Sequence, residues 1–290
     1  MILTPRPRWL VPVVLLLPAT VAIGFFSFGG YATLLQQSFQ TYIPGRITSE
    51  PNVFTFNNYL DYFVTTSVYL GFIITSLKLA GISTAIAGVL AYPLAYKIAR
   101  TNSSRARKLL LTILVTFFFT NSMVKVFALL IVFGDNGLIN SILKAMDLGP
   151  IRWLGSESAV IFGLVYFLIA TSTLALIGPI KNIDPSLEDA AHNLGATKLQ
   201  TFVRVTLPLS MPGVLSAALL SYALGVSAFI IPSFLGKGTV MMMANVIYAR
   251  FSSTFNFPAG SAMSIVLLAT TLFIAYGLTS ILSTRIKGFS

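Results

Sequence analysis

Six apolar stretches of bilayer length, roughly 10–37, 72–96, 109–133, 158–180, 209–234 and 261–284, divide this 290-residue chain. A hydrocarbon layer about 30 Å thick is crossed by about 20 helical residues. A helix is the form that allows such a run to satisfy its own backbone groups where water is missing. Only 9% of the residues are charged, against about 25% in soluble domains. The expectation is therefore an all-α polytopic membrane protein with six transmembrane helices, organised as one integral domain over 1–290. Arg6 and Arg8 ahead of the first stretch resemble the start of a signal peptide. That run exceeds the usual core of about 7–15 residues and no small-x-small site follows it, so a retained span is expected.

Charge sets the orientation. With the N-terminus in the cytoplasm, twelve of the nineteen Lys and Arg residues fall on the cytoplasmic side and five outside, with Lys78 and Lys125 in or at the edge of spans. This is a positive-inside asymmetry, and it places both termini in the cytoplasm. Five of the eight acids lie outside, which leaves the outer loops neutral and the cytoplasmic loops at +9. The net charge of +11 is thus a sign of membrane insertion, and no nucleic-acid partner is expected.

Composition also excludes chemistry. There are no cysteines and one histidine, and no acid lies inside a span. Disulfides, metal sites and nucleophile–base pairs cannot be assembled, so no enzyme, metal or cofactor is expected. A self-sufficient secondary transporter is the alternative. It would need a coupling-ion site, which the missing membrane acids count against, and no internal repeat supports it.

The stretch 183–208, between the fourth and fifth spans, is the polar exception. Asp184 suits an N-cap, and Pro185 the first helical position, where its missing N–H costs nothing. A helix is expected over Ser186–Leu194, ended by Gly195 in the left-handed conformation. Thr197 and Gln200 have the spacing of a capping box. They start a second helix carrying Leu199, Phe202, Val203 and Val205, which Leu207-Pro208 is expected to close. Leu187, Ala190, Ala191 and Leu194 make one apolar stripe at i, i+3, i+4, i+7. A helix resting on lipid headgroups carries bulky anchors and a basic face. This one has two alanines, Glu188, Asp189 and no cation before Lys198, so a docked protein is the better reading. His192 stands alone and reads as a solvated or interface residue.

Asp189-Ala190-Ala191, then Gly195, then Val205-x-Leu207-Pro208 resemble the EAA loop of the membrane subunits of binding-protein-dependent ABC importers. Asp189 replaces the usual glutamate and Val205 the usual isoleucine, changes that keep charge and branching. Ser83-Thr84, Ala91-Tyr92-Pro93-Leu94-Ala95-Tyr96, Thr120-Asn121-Ser122 and the segment from Gly134 to Asn140 are most similar to spermidine/putrescine-type permeases. The resemblance implies a type I ABC importer-like permease fold in the bacterial inner membrane. It implies a non-catalytic subunit that works with separate ATP-binding subunits, a second permease of a different sequence and an external solute-binding protein. The solute would be small and polar, a polyamine or a related organic molecule. By resemblance, Glu188, Asp189, Ala190, Ala191, Gly195, Ala196, Leu207 and Pro208 carry the ATPase coupling.

Candidate pathway residues come from polarity inside spans. Lys125, four residues after Asn121, shares its helical face, and an ionisable intramembrane residue is a functional candidate. The alternative is a lysine that snorkels and pairs with a loop acid such as Asp135. Lys78 is expected to snorkel. Ser221, Tyr222 and Ser227 in the fifth span suit a cavity lining, Tyr222 above all, and the alternative is close helix packing, which Gly225 suits better. Gly236-Lys237-Gly238-Thr239 is no phosphate loop, because Ile231 stands where its first glycine is required. Met241–Met243 read either as an outer gate or as a packing element. The aromatic loop from Phe39 to Ser67 reads as an interfacial belt, with a receiving surface for a solute-binding protein as the second option.

Overall fold

The computed structural model describes residues 10–44, 54–61 and 67–286. They form α1 (Leu10–Ser38), α2 (Asn57–Leu60), α3 (Ser67–Arg100), α4 (Ser104–Phe119), α5 (Ser122–Phe133), α6 (Leu138–Ala145) and α7 (Glu157–Lys181). There follow α8 (Pro185–Asn193), α9 (Lys198–Thr201), a π-helical turn (Phe202–Thr206), α10 (Leu207–Ser227), α11 (Ile230–Leu235), α12 (Met243–Ser252) and α13 (Phe257–Ile286). The fold is all-α, and six helical stretches are long and apolar enough to cross a membrane.

Two of the expected spans are interrupted. The apolar run 109–133 breaks between α4 and α5, where Thr120 is extended (φ −62°, ψ 129°) and the Asn121 side chain accepts the Met123 N–H at 2.8 Å. Asn offers the backbone an acceptor that competes with the helical ladder, and it caps the next helix instead. The third candidate span accordingly covers Ser122–Ala145, not 109–133. The run 209–234 breaks at Ala228, which is extended (ψ 121°) between α10 and α11.

The expected stop at Leu207-Pro208 does not occur, and helix runs on from Lys198 to Ser227. In an α-helix the Pro208 ring would crowd the carbonyl of Arg204 and leave it without a donor. The π turn relieves this by widening the ring of bonds, with the Leu207 N–H on the Phe202 carbonyl.

The described residues divide between two compact units, 1–67 with 249–266, and 68–248 with 267–290. In the first, Asn58 donates to the carbonyls of Ser38 and Gln40 at 2.8 and 2.9 Å, and Phe39 packs on Phe56 and Tyr59. Phe63 and the rest of the aromatic loop at 45–53 and 62–66 lie outside the described residues, as do Arg6 and Arg8. Among the described residues, none of the apolar window of α1 is buried.

The second unit is built around α7, half of whose apolar window is buried. One core joins Leu79, Val126, Leu129, Val160, Leu164, Ile231 and Leu235. Another, toward the α8 end, joins Ala91, Tyr92, Ala95, Leu176, Ile180 and Ala217. In lipid, apolar burial supplies little drive between helices, so close packing and hydrogen bonds must hold them. Glycines allow the approach. A side chain at Gly163 would begin 2.7 Å from Leu235 Cδ2, and one at Gly225 3.3 Å from Ala80 Cβ.

Candidate coupling site

Local chemistry shapes α8 and its elbow as the sequence requires. Asp184 caps the helix, accepting the Ser186 N–H at 2.9 Å, with Pro185 at the first position. The bond from the Ser186 backbone, then that from its hydroxyl, hold the Asp184 carboxyl below the ordinary aspartate range. At the other end Gly195 sits at φ +84°. The Ala196 N–H reaches the Ala191 carbonyl and the Gly195 N–H that of His192, which is a Schellman turn. The Thr197–Gln200 capping box is formed in both directions. His192 adds a further tie, its Nδ1 lying 3.0 Å from the Ala196 carbonyl oxygen.

Glu188 points back into the chain. Arg100, in the last turn of α3, donates to its Oε1 from Nη2 at 2.7 Å and from Nε at 3.1 Å. The Arg100 Nη1 donates to the Ile183 carbonyl at 3.0 Å. Tyr96 donates to Glu188 Oε2 at 3.0 Å, and Thr206 of the π turn to Oε1 at 3.0 Å. The Arg100 and Glu188 side chains are only 16% and 12% exposed. Burial alone pushes the Glu188 carboxyl up, but the bonds from Arg100, Thr206 and Tyr96 and the Arg100 charge outweigh it and hold it below the ordinary glutamate range. Phe202 packs edge-on against Tyr92 at 5.3 Å, and the Tyr92 hydroxyl lies 2.7 Å from that of Ser210. α3, α8 and the π turn thus converge on one carboxylate.

The opposite side of the loop is open. Asp189 and Ala190 are exposed, and Ala191 is half-buried. Leu194 is 89% exposed and Leu199 72%, with Leu187 and Val203 about half exposed. Of the expected stripe, then, Leu187, Ala190 and Leu194 face outward, while Ala191 leans in beside Glu188. Ala196, Leu207 and Pro208 are half-buried behind this surface. Sequence reasoning missed the inward partners Arg100, Tyr96 and Thr206. The available signal was a basic residue closing a span, one helical turn after a tyrosine.

The five pathway candidates are dispersed. Asn121 is a helix cap. Lys125 is 5% exposed, with Nζ 4.5 Å from the centre of the Phe117 ring and 5.6 Å from that of Phe167. These are cation–π contacts. It is not paired with Asp135, which binds Lys237 at 3.2 Å. Lys78 reaches Glu157 at 2.7 Å, as a snorkelling lysine does. Ser221 is fully buried and shares a 2.7 Å hydrogen bond with Ser172 across the α7–α10 seam, and Tyr222 is buried beside it. Ser227 is exposed and bonds the Leu224 carbonyl of its own helix. Met242 and Met243 are fully buried, and the Met243 N–H donates to Ser76 Oγ at 2.6 Å, so this stretch packs as a core element.

The chain is similar to known proteins in sequence and in fold. The family model described as binding-protein-dependent transport system inner membrane component matches residues 85–288. The spermidine/putrescine transport system permease protein PotB of Haemophilus influenzae is 35% identical over 238 residues, 80% of this chain and 82% of that one. PotB of Escherichia coli K12 is 36% identical over 217 residues, 74% of this chain and 78% of that one. In fold, the chain is similar to one from the crystal structure of a bacterial ABC transporter involved in the import of the acidic polysaccharide alginate. The TM-score is 0.77 at 20% identity, over 96% of each chain. A family match over most of the chain, with relatives above 30% identity along most of their length, shows that the chain belongs to the inner membrane components of binding-protein-dependent transport systems.

Proposed function

We propose that this permease carries a polyamine, or a closely related small organic cation, through the inner membrane with both termini in the cytoplasm. A separate ATP-binding subunit docks on the open face of α8 and α9 through Asp189, Ala190, Leu194 and the Gly195 elbow. A second permease chain completes the pathway, and an external solute-binding protein delivers the solute. ATP binding and hydrolysis on the docked subunit shift α8 and drive alternating access. The observation that carries this reading is the Schellman-capped α8, whose exposed apolar side is left uncovered by the described residues. The polyamine assignment is supported by its 35–36% identical relatives, which are spermidine/putrescine permeases.

No acid is available inside the spans to meet a cation. The interrupted helices supply partial negative charge instead. α4 and α10 both end within apolar runs, at Phe119 and Ser227, and a helix C-terminus there favours a cation. Ser227, exposed at the end of α10, is the pathway residue favoured by this electrostatics, and Tyr222 is buried earlier in the same helix. Asn121 sets the other interruption by capping α5, with Lys125 one turn further on, and Ser221 ties α10 to α7 through Ser172.

The test is co-purification of the tagged chain, followed by uptake of labelled spermidine into proteoliposomes with ATP and the binding protein. The expected result is an ATPase recovered with the chain, ATP-dependent uptake competed by putrescine, and loss of the ATPase in Leu194→Glu. Spermidine uptake by the chain alone, or a complex indifferent to polyamines, would overturn the reading.

A further inference from the structure

We infer that the Glu188–Arg100 ion pair is the joint through which movement of α8 enters the membrane helices, and that it enters by α3. Glu188 and Arg100 are then positioning residues of transport. The inference rests on α8 being the ATPase-docking helix, and it divides that helix into two faces. Asp189 and Leu194 belong to the partner, and Glu188 belongs to the permease itself.

Three observations carry it. First, nine-residue α8 has no buried residue of its own. Its strong connection to the bundle is the Glu188 carboxylate, held by Arg100, Tyr96 and Thr206. Apolar contact resists compression but separates and slides easily. An ion pair with several directed bonds also resists pulling and shear. Second, the pair joins a helix suited to carrying a displacement. α3 is helical over 34 residues with Pro93 inside it, about 50 Å long at 1.5 Å per residue, and Tyr96 and Arg100 both follow that proline. Near its other end Ser76 holds the Met243 backbone and Lys78 holds Glu157. Third, three of the four bonds to the Glu188 carboxylate come from α3, two from Arg100 and one from Tyr96, and a single one comes from the helix that leads into α10, through Thr206.

The experiment compares Glu188→Gln, Asp189→Asn and the charge exchange Glu188→Arg with Arg100→Glu. Each is purified with its companion subunits and reconstituted with the binding protein. Complex yield, ATP hydrolysis and uptake of labelled spermidine are all measured. Per mole of recovered complex, Glu188→Gln should leave hydrolysis unchanged and lower uptake about tenfold, the scale of one charge-assisted bond, so that more ATP is spent per solute. The charge exchange should recover part of that uptake, and Asp189→Asn should instead weaken ATPase recovery. Wild-type uptake by Glu188→Gln would overturn the joint. So would a parallel fall in yield, hydrolysis and uptake, which marks a folding role alone. Failure of the unmodified chain to recover any ATPase would overturn the docking reading, and the joint with it.

Discussion

Arg100 and Glu188 stand 88 positions apart in the sequence, yet their guanidinium and carboxylate meet at 2.7 Å with both side chains nearly buried. The pair ties the end of α3 to α8, the first helix of the polar loop 183–208. Replacing one member of such a pair leaves the other buried without its counter-charge, which costs more than the pair itself contributes.

This pair gives the chain a pH signature. Glu188 is held below its ordinary value of 4.5, so its contribution is fully present above that pH and is lost as pH falls through the lowered folded-state value. The thermal stability of the wild-type chain in detergent should exceed that of Glu188→Gln by about 1–3 kcal/mol near neutrality. The gap should close in acid, where both carry a neutral group at 188. A gap that does not narrow as the pH is lowered would count against the bonds as the source.

Gly195 separates backbone conformation from contact. Its φ of +84° disfavours any residue with a Cβ, while nothing within 4 Å would obstruct a small side chain. Gly195→Leu should cost about 1–2 kcal/mol of local conformational energy, and uptake should fall while membrane insertion stays intact. Gly195→Asn, which tolerates the left-handed region better, should keep more uptake than Gly195→Leu. The comparison is made by uptake normalised to the inserted chain.

Gly213 and Gly178 give a packing test on facing helices. A Cβ at Gly213 would collide with the ring of Pro179, whereas one at Gly178 meets nothing within 4 Å. Gly213→Ala should destabilise by about 1–3 kcal/mol, the scale of overpacking. Gly178→Ala should be neutral or slightly stabilising. The monodisperse fraction remaining after heating in detergent ranks the two.

What could be read from the sequence was local. The caps at Asp184 and Thr197, the proline at position 185 and the left-handed Gly195 act within a few residues, so spacing alone exposed them. The interruption at Thr120-Asn121 was also legible, since a capping residue inside an apolar run signals a break. It was hidden by the length of the hydrophobic stretch around it. The continuation past Pro208 was not legible, because a π turn depends on the whole helix being held in place at both ends.

Hydropathy, charge distribution and helix punctuation determined the class of protein, the six apolar stretches and the two-helix loop. These follow from the solvent and from short-range bonding, both of which act on each segment separately. Only the tertiary structure decided which of two adjacent acids faces inward. It turned Glu188 toward Arg100, Tyr96 and Thr206 and left Asp189 exposed. It also committed Ser221 to Ser172 and set Lys125 over aromatic rings. Those choices depend on side chains brought together from distant helices, and the energy of burying a charge or hydroxyl depends on which partners arrive.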